Sequence, residues 1–219
     1  MTEADTPRLV ERAAGRLGEL ALRAAGDHYE IISNGVFLMD TRGGESERLL
    51  VRLALRDRPC PLRLLIGGLG VGFSLAEALR SDGVARVTVV EIEPKIVEWS
   101  RTYLAPFSGH ALSDPRVLIV NEDLLTWLGR NDETFDAICL DVDNGPAWTV
   151  ADANAELYSA EGLEKMRARL KPGGALSVWS ASEAPEFAER LRLAFDKVDA
   201  VSVRVPRGEP DVVYVAMRD

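Results

Sequence analysis

The stretch Leu64-Leu65-Ile66-Gly67-Gly68-Leu69-Gly70-Val71-Gly72-Phe73-Ser74 constrains this chain more than any other. An apolar run is interrupted by glycines and resumes as Ser74-Leu75-Ala76-Glu77-Ala78-Leu79. That order reads as buried strand, tight turn and helix. A glycine turn lets backbone approach a ligand closely and aims helix N–H groups at it. Taken alone, the same turn also fits a ligand-free strand-to-helix connection. The residues that follow decide between the two.

From Leu62 onward strands and helices alternate. Arg63–Ile66, Arg86–Glu91, Arg116–Val120, Phe135–Asp141 and Ala175–Trp179 read as strands. Arg86–Glu91 is apolar and β-branched enough to be buried on both faces. Helices are expected over Ser74–Arg80, from Pro94 through Ser100, and over Asp123–Leu128, Ser159–Leu170 and Pro185–Phe195. Such alternation implies a parallel sheet with helices on both faces. The last two strands, Val201–Val205 and Asp211–Met217, are joined only by Pro206–Pro210. That link is too short for a crossover helix, so this pair must be antiparallel. The fold class is therefore α/β: a Rossmann-like, seven-stranded, mostly parallel sheet ending in an antiparallel hairpin. This is the topology of class I S-adenosylmethionine-dependent methyltransferases and related transferases.

Upstream of it, residues 1–25 are rich in Arg, Glu and Ala and suggest a short helix or a frayed terminus. In Tyr29–Asp40, two β-prone runs flank Ser33-Asn34-Gly35, a strong hairpin signal. Ser46 reads as the cap of a helix through Leu55. The expected division is an N-terminal helix and small β-hairpin element over 1–57 and a donor-binding domain over 58–219.

Ligands of open α/β sheets bind at the carboxyl ends of the strands. Gly67, Gly68, Gly70 and Gly72 follow the first strand of the alternating series. Glu91 ends the second, about 20 residues past the loop, the spacing of an acid that accepts ribose hydroxyls. Glu122 and Asp123 follow the third strand, where an Asp can take an adenine amino group. Asp141, Asp143 and Asn144 follow the fourth. Any one of these acids is as readily a turn residue or a helix cap; all of them on one sheet edge point to a nucleoside-bearing ligand.

Net charge bears on the partner. At −9 over 219 residues, the chain is not expected to bind nucleic acid through a phosphate-tracking face, and it suits a cationic substrate. Cys60 and Cys139 are far apart, beside apolar runs, and read as buried thiols of a reducing compartment. His28 and His110 have no ligand spacing with either, so no metal is expected. The polar, acidic start and the lack of an apolar run of ~20 residues argue against a leader and a membrane span, with a cytoplasmic location as the default.

Residues 64–179 resemble the spermidine synthase (polyamine aminopropyltransferase) family, which shares the class I methyltransferase fold. The landmarks are Ile66-Gly67-Gly68, Val90-Glu91-Ile92-Glu93, Glu122-Asp123, Phe135-Asp136-Ala137-Ile138 leading to Asp141, Leu157-Tyr158-Ser159, and Leu170-Lys171-Pro172-Gly173-Gly174. The β element at 29–40 looks like an abbreviated form of that family's N-terminal β domain. The resemblance implies that Glu91 holds the ribose, Asp123 the adenine, and that Asp141 sits beside the reacting amine. It also implies a homodimer or larger assembly.

Two departures bear on the reaction. The family's glycine loop reads Gly-Gly-Gly-Asp-Gly-Gly, its Asp pairing with the donor's aminopropyl ammonium; Gly70 occupies that position here. The family's Asp-Ser-Ser-Asp-Pro appears as Asp141-Val142-Asp143-Asn144-Gly145-Pro146. Losing the loop carboxylate removes a repulsion against the carboxylate of intact S-adenosylmethionine. The reading is thus methyl transfer to an amine-bearing small molecule. The alternative is aminopropyl transfer from decarboxylated S-adenosylmethionine to a polyamine. Asp141 is expected to take the proton of the amine, Asp143 to attract it, and Asn144, Trp148, Tyr158 and Trp179 to wall the pocket. A non-catalytic nucleoside-binding scaffold is a reading of another class. A nicotinamide oxidoreductase is disfavoured by the terminal hairpin.

Overall fold

A computed structural model of the chain describes residues 6–205 and 208–219. Two sheets are present. The first is antiparallel, in the order β1 (Arg8–Ala14), β2 (Glu19–Ala25), β3 (His28–Ser33), β4 (Val36–Asp40). The expected N-terminal helix is therefore a pair of strands, with residues 1–5 outside the described part. Helix-prone Ala, Glu and Leu give way here because Leu20 and Leu22 of β2 are buried against the main core, and β2 pairs along its length with β1 and β3. Tertiary packing overrides a propensity of a few tenths of a kcal/mol per residue. The hairpin at Asn34-Gly35 is as expected: both residues have positive φ, 50° and 79°, which this turn requires.

The second sheet has seven strands in the order β10-β11-β9-β8-β5-β6-β7. Its parallel members are β5 (Leu62–Gly67), β6 (Val84–Val90), β7 (Val117–Val120), β8 (Phe135–Leu140) and β9 (Leu170–Ser180). β9 begins earlier than expected and absorbs Lys171–Gly174, with Leu170 paired to Phe135. β11 (Asp211–Met217) pairs antiparallel with both β9 and β10 (Lys197–Val203). The antiparallel pairing is as read from the sequence, although β10 begins four residues before the expected Val201 and ends at Val203; Pro206 and Arg207 of the link lie outside the described residues.

Strand alternation sends neighbouring side chains to opposite faces. Leu64 and Ile66 of β5 join a core with α1 (Glu45–Leu55), α2 (Phe73–Leu79) and α3 (Pro94–Arg101). Leu65 joins the other, with α4 (Leu124–Arg130), α5 (Ala160–Arg169) and α6 (Pro185–Ala194). Each fully buried Leu or Phe contributes about 1.5–3 kcal/mol. Helix α1 packs on α2, β9 and β11. Its N-cap is Gly44, in the left-handed region; Ser46, expected as the cap, lies one residue inside the helix with its hydroxyl turned to side chains. Among the described residues no helix is long and apolar enough to cross a membrane.

The small sheet is fastened to the large one by polar contacts as well as by its core face. Glu93, just past β6, accepts the backbone N–H groups of Arg16 and Leu17 at 2.8 and 2.7 Å. Glu11 of β1 accepts the Trp99 indole N–H at 2.8 Å and pairs with Lys95 of α3 at 3.0 Å. Cys60 is exposed, contrary to expectation, because it lies in the irregular link before β5; Cys139 in β8 is buried, and burial pushes its thiol up to about 12.

Candidate active site

A cavity of about 1310 Å³ lies between the two sheets, along the carboxyl ends of the parallel strands. The loop Gly68–Gly70 is part of its lining. Gly68 has φ +88°, and a Cβ there would stand 2.0 Å from the Asp141 carbonyl oxygen, so only glycine lets the loop lie this close to the end of β8. Gly67 closes β5 and Gly72 caps α2; both shape the loop without lining the cavity.

Glu91 stands at the tip of β6, buried, as the sequence spacing requires. Its two oxygens accept the N–H groups of Leu69 and Glu93, each at 2.8 Å. Burial raises its carboxyl to about 7 against the pull of those bonds. The glycine loop and Glu91 are thereby one hydrogen-bonded unit. Glu122 and Asp123 line the same cavity. The loop carrying them is tied to β6 by Glu122 N and Asn121 Nδ2, which donate to the Glu91 carbonyl. Glu122 pairs with Arg130. Asp123 caps α4, accepting Thr126 N–H at 2.7 Å on one oxygen.

Asp141 follows β8 at the cavity floor, and its Oδ2 accepts the Ser74 hydroxyl at 2.6 Å. Burial, reinforced by the charge of Glu47, raises its carboxyl to about 7. The sequence reading did not find its neighbours. Ser46 Oγ lies 2.9 Å from Glu47 Oε2 and 2.6 Å from Asp211 Oδ2. A hydroxyl has one proton to donate, so serving two carboxyl oxygens needs a proton on one of them. Burial raises both carboxyls in the same direction. Asp211 reaches this place because β11 is antiparallel: its start, not its end, lies beside Ser180 at the end of β9. Among the described residues, none of Glu47, Asp141 and Asp211 lies within ion-pair distance of a cationic side chain. The acids on the opposite wall differ: Glu30 pairs with Arg23 and Arg42, and Asp40 with Arg42.

The remaining expected residues divide. Asn144, Trp148 and Trp179 line the cavity, Trp148 being 57% exposed. Asp143 also lines it, but its oxygens accept Asn144 N, Val150 N, Ala151 N and Asn154 Nδ2, all between 2.8 and 3.1 Å, so it clamps the loop after β8. Tyr158 is not a pocket residue. It is buried edge-on to Phe187, its hydroxyl donates to the Val142 carbonyl, and burial raises it strongly.

Strand order and the glycine loop define a class I S-adenosylmethionine-type fold, with the edge acids gathered on one cavity. The family is narrower. A model of the spermine/spermidine synthase domain matches residues 45–202, and the chain belongs to that family. Polyamine aminopropyltransferase 1 of Streptomyces coelicolor is 36% identical over 129 residues, which cover 58% of this chain and 23% of that protein. Polyamine aminopropyltransferase 2 of Pseudomonas aeruginosa is 31% identical over 169 residues, 72% of this chain and 46% of the relative. This chain thus spans between about a quarter and a half of the curated relatives it matches. A crystal structure of spermidine synthase with the transition-state analogue AdoDATO superposes with a TM-score of 0.82 over 97% of this chain and 74% of that one, at 20% identity, a likeness of fold. The expectation of methyl transfer finds no support among these relatives; its alternative, aminopropyl transfer, is the activity their names carry.

Proposed function

We propose that this chain transfers an aminopropyl group from decarboxylated S-adenosylmethionine to an amine of a small polycation. The observation that carries this reading is the set Glu47, Asp141 and Asp211, three carboxyl groups on one cavity without a cationic partner among the described residues. Buried acids without a partner are costly, and an alkylammonium relieves that cost. When bound, the sulfonium donor supplies an electrophilic carbon; the amine nitrogen bonds to it as the carbon–sulfur bond breaks.

The chain's own residues do the rest. Glu91, held by the Leu69 and Glu93 N–H groups, suits two ribose hydroxyls. The free oxygen of Asp123 suits the adenine amino group. An amine attacks only when neutral, and Asp141, raised toward 7, is matched to take its proton near neutral pH. Ser74 keeps that carboxyl aimed. Trp179 offers an aromatic wall to the cation.

The test is calorimetry with decarboxylated and intact S-adenosylmethionine, followed by mass spectrometry of the product formed with a diamine. Binding of the decarboxylated donor and growth of the diamine by one aminopropyl unit are expected. A methylated product, or donor binding without any turnover, would overturn the reading in favour of a methyltransferase or a nucleoside-binding scaffold.

A further inference from the structure

The glycine loop is covered from the opposite sheet by one side chain. Met39 of β4 lines the cavity, and its sulfur accepts the Val71 N–H at 3.3 Å. A Cβ on Gly70 would stand 2.3 Å from that sulfur. The Gly70 carbonyl is fixed from the other side by the Ser100 hydroxyl at 2.8 Å. The loop is thus held between α3 and β4, and the volume a side chain at 70 would need belongs to Met39.

This position matters because of what the loop joins. Leu69 N binds Glu91, and Gly68 lies against the Asp141 backbone. A donor whose ribose meets Glu91 and whose reacting carbon faces Asp141 must pass over Gly68–Gly70, with its sulfur substituents beside Met39. On this wall the nearest acids, Glu30 and Asp40, are neutralised by Arg23 and Arg42. The donor's tail therefore meets a neutral, polarisable thioether at the loop, in place of a charge.

We propose that Met39 is the specificity-determining residue for the donor's tail: by occupying the space above Gly70 it keeps the loop uncharged, so that discrimination between a carboxylated and a decarboxylated tail at this point is weak. The proposal rests on the transferase reading above, and its test separates the two. Dissociation constants are measured by calorimetry for the decarboxylated donor, the intact donor, and a tail-less methylthio-nucleoside. Met39→Glu installs a carboxylate that attracts the tail ammonium and repels a tail carboxylate. It is expected to shift the ratio of the two donor constants toward the decarboxylated form by ~10-fold or more. The tail-less nucleoside should change by less than about threefold, because it makes no charged contact there.

Should Met39→Glu fail to fold, the double variant Gly70→Asp/Met39→Ala brings the charge from the loop side into the space vacated. Asp tolerates the left-handed backbone at 70, φ +51°. The same shift in ratio is expected. An unchanged ratio in a chain that binds all three ligands overturns the role of Met39 alone. Equal weakening of all three assigns Met39 to packing and overturns it too. A wild-type chain that binds none of the three overturns the transferase reading and this proposal with it.

Discussion

The two walls of the cavity carry similar numbers of acids in opposite states. On the wall from the N-terminal sheet, Glu30 and Asp40 are bridged by Arg23 and Arg42. On the floor built by α1, β8 and β11, Glu47, Asp141 and Asp211 are hydrogen-bonded by serine hydroxyls and have no cationic side chain within ion-pair distance among the described residues. The paired wall is self-sufficient: its charges are spent within the protein. The floor is frustrated until something positive arrives. A negative cavity therefore does not by itself mark a cation site; the mark is the carboxylate that the fold has left unpaired.

The largest effect expected from breaking this contrast is at Asp141. Asp141→Asn keeps the contact with Ser74 and removes the base, so turnover should fall ~10²–10⁴-fold while donor affinity holds within about threefold, read by steady-state kinetics and calorimetry. The ligand-free variant should also be more stable than wild type at pH 8, because a buried charge has gone.

The second effect is on stability. The folded carboxyls of Asp141 and Glu91 are raised to about 7, above those of the unfolded chain. The folded state therefore holds protons that the unfolded state has released, and stability from this source is complete below about pH 4 and lost as pH rises toward 7. Urea denaturation of the ligand-free protein should show stability falling by a few kcal/mol between pH 5 and pH 8. A flat profile would mean that the floor acids ionise as ordinary surface groups do. The smallest effect is expected on the paired wall: Glu30→Gln should alter donor and amine dissociation constants by no more than about twofold, since the buried Glu30 carboxylate is already bridged by Arg23 and Arg42 and has no charge left over for a ligand.

The residues legible in sequence were those whose roles are local. Gly68, Gly70, Glu91 and Asp123 follow parallel strands closely, where the chain's own order puts them on the edge that the cavity occupies. The Asn34-Gly35 turn and the terminal hairpin were legible for the same reason. Asp211 was not, because the rule of reading strand ends fails for an antiparallel strand, whose beginning faces the ligand. Its link to Ser46 spans 165 positions. Met39 belongs to another sheet, and nothing in Val36–Asp40 announces which glycine it covers. Tyr158 misled because its motif marks a turn that packs inward, and strands β1 and β2 were hidden behind helix-forming composition.

The polar seam between the sheets has a thermodynamic consequence. Glu93, two residues past Glu91, holds the turn between β1 and β2 through the N–H groups of Arg16 and Leu17. Leu17, Leu20, Ile31 and Met39 form part of the cavity lining itself. A ligand lodged there touches both sheets at once and is a non-covalent splice between them. Occupancy is then linked to the local folding of β1–β4: each tightens the other by the same free energy, and slowed amide exchange in the small sheet becomes a remote report of what the large sheet has bound.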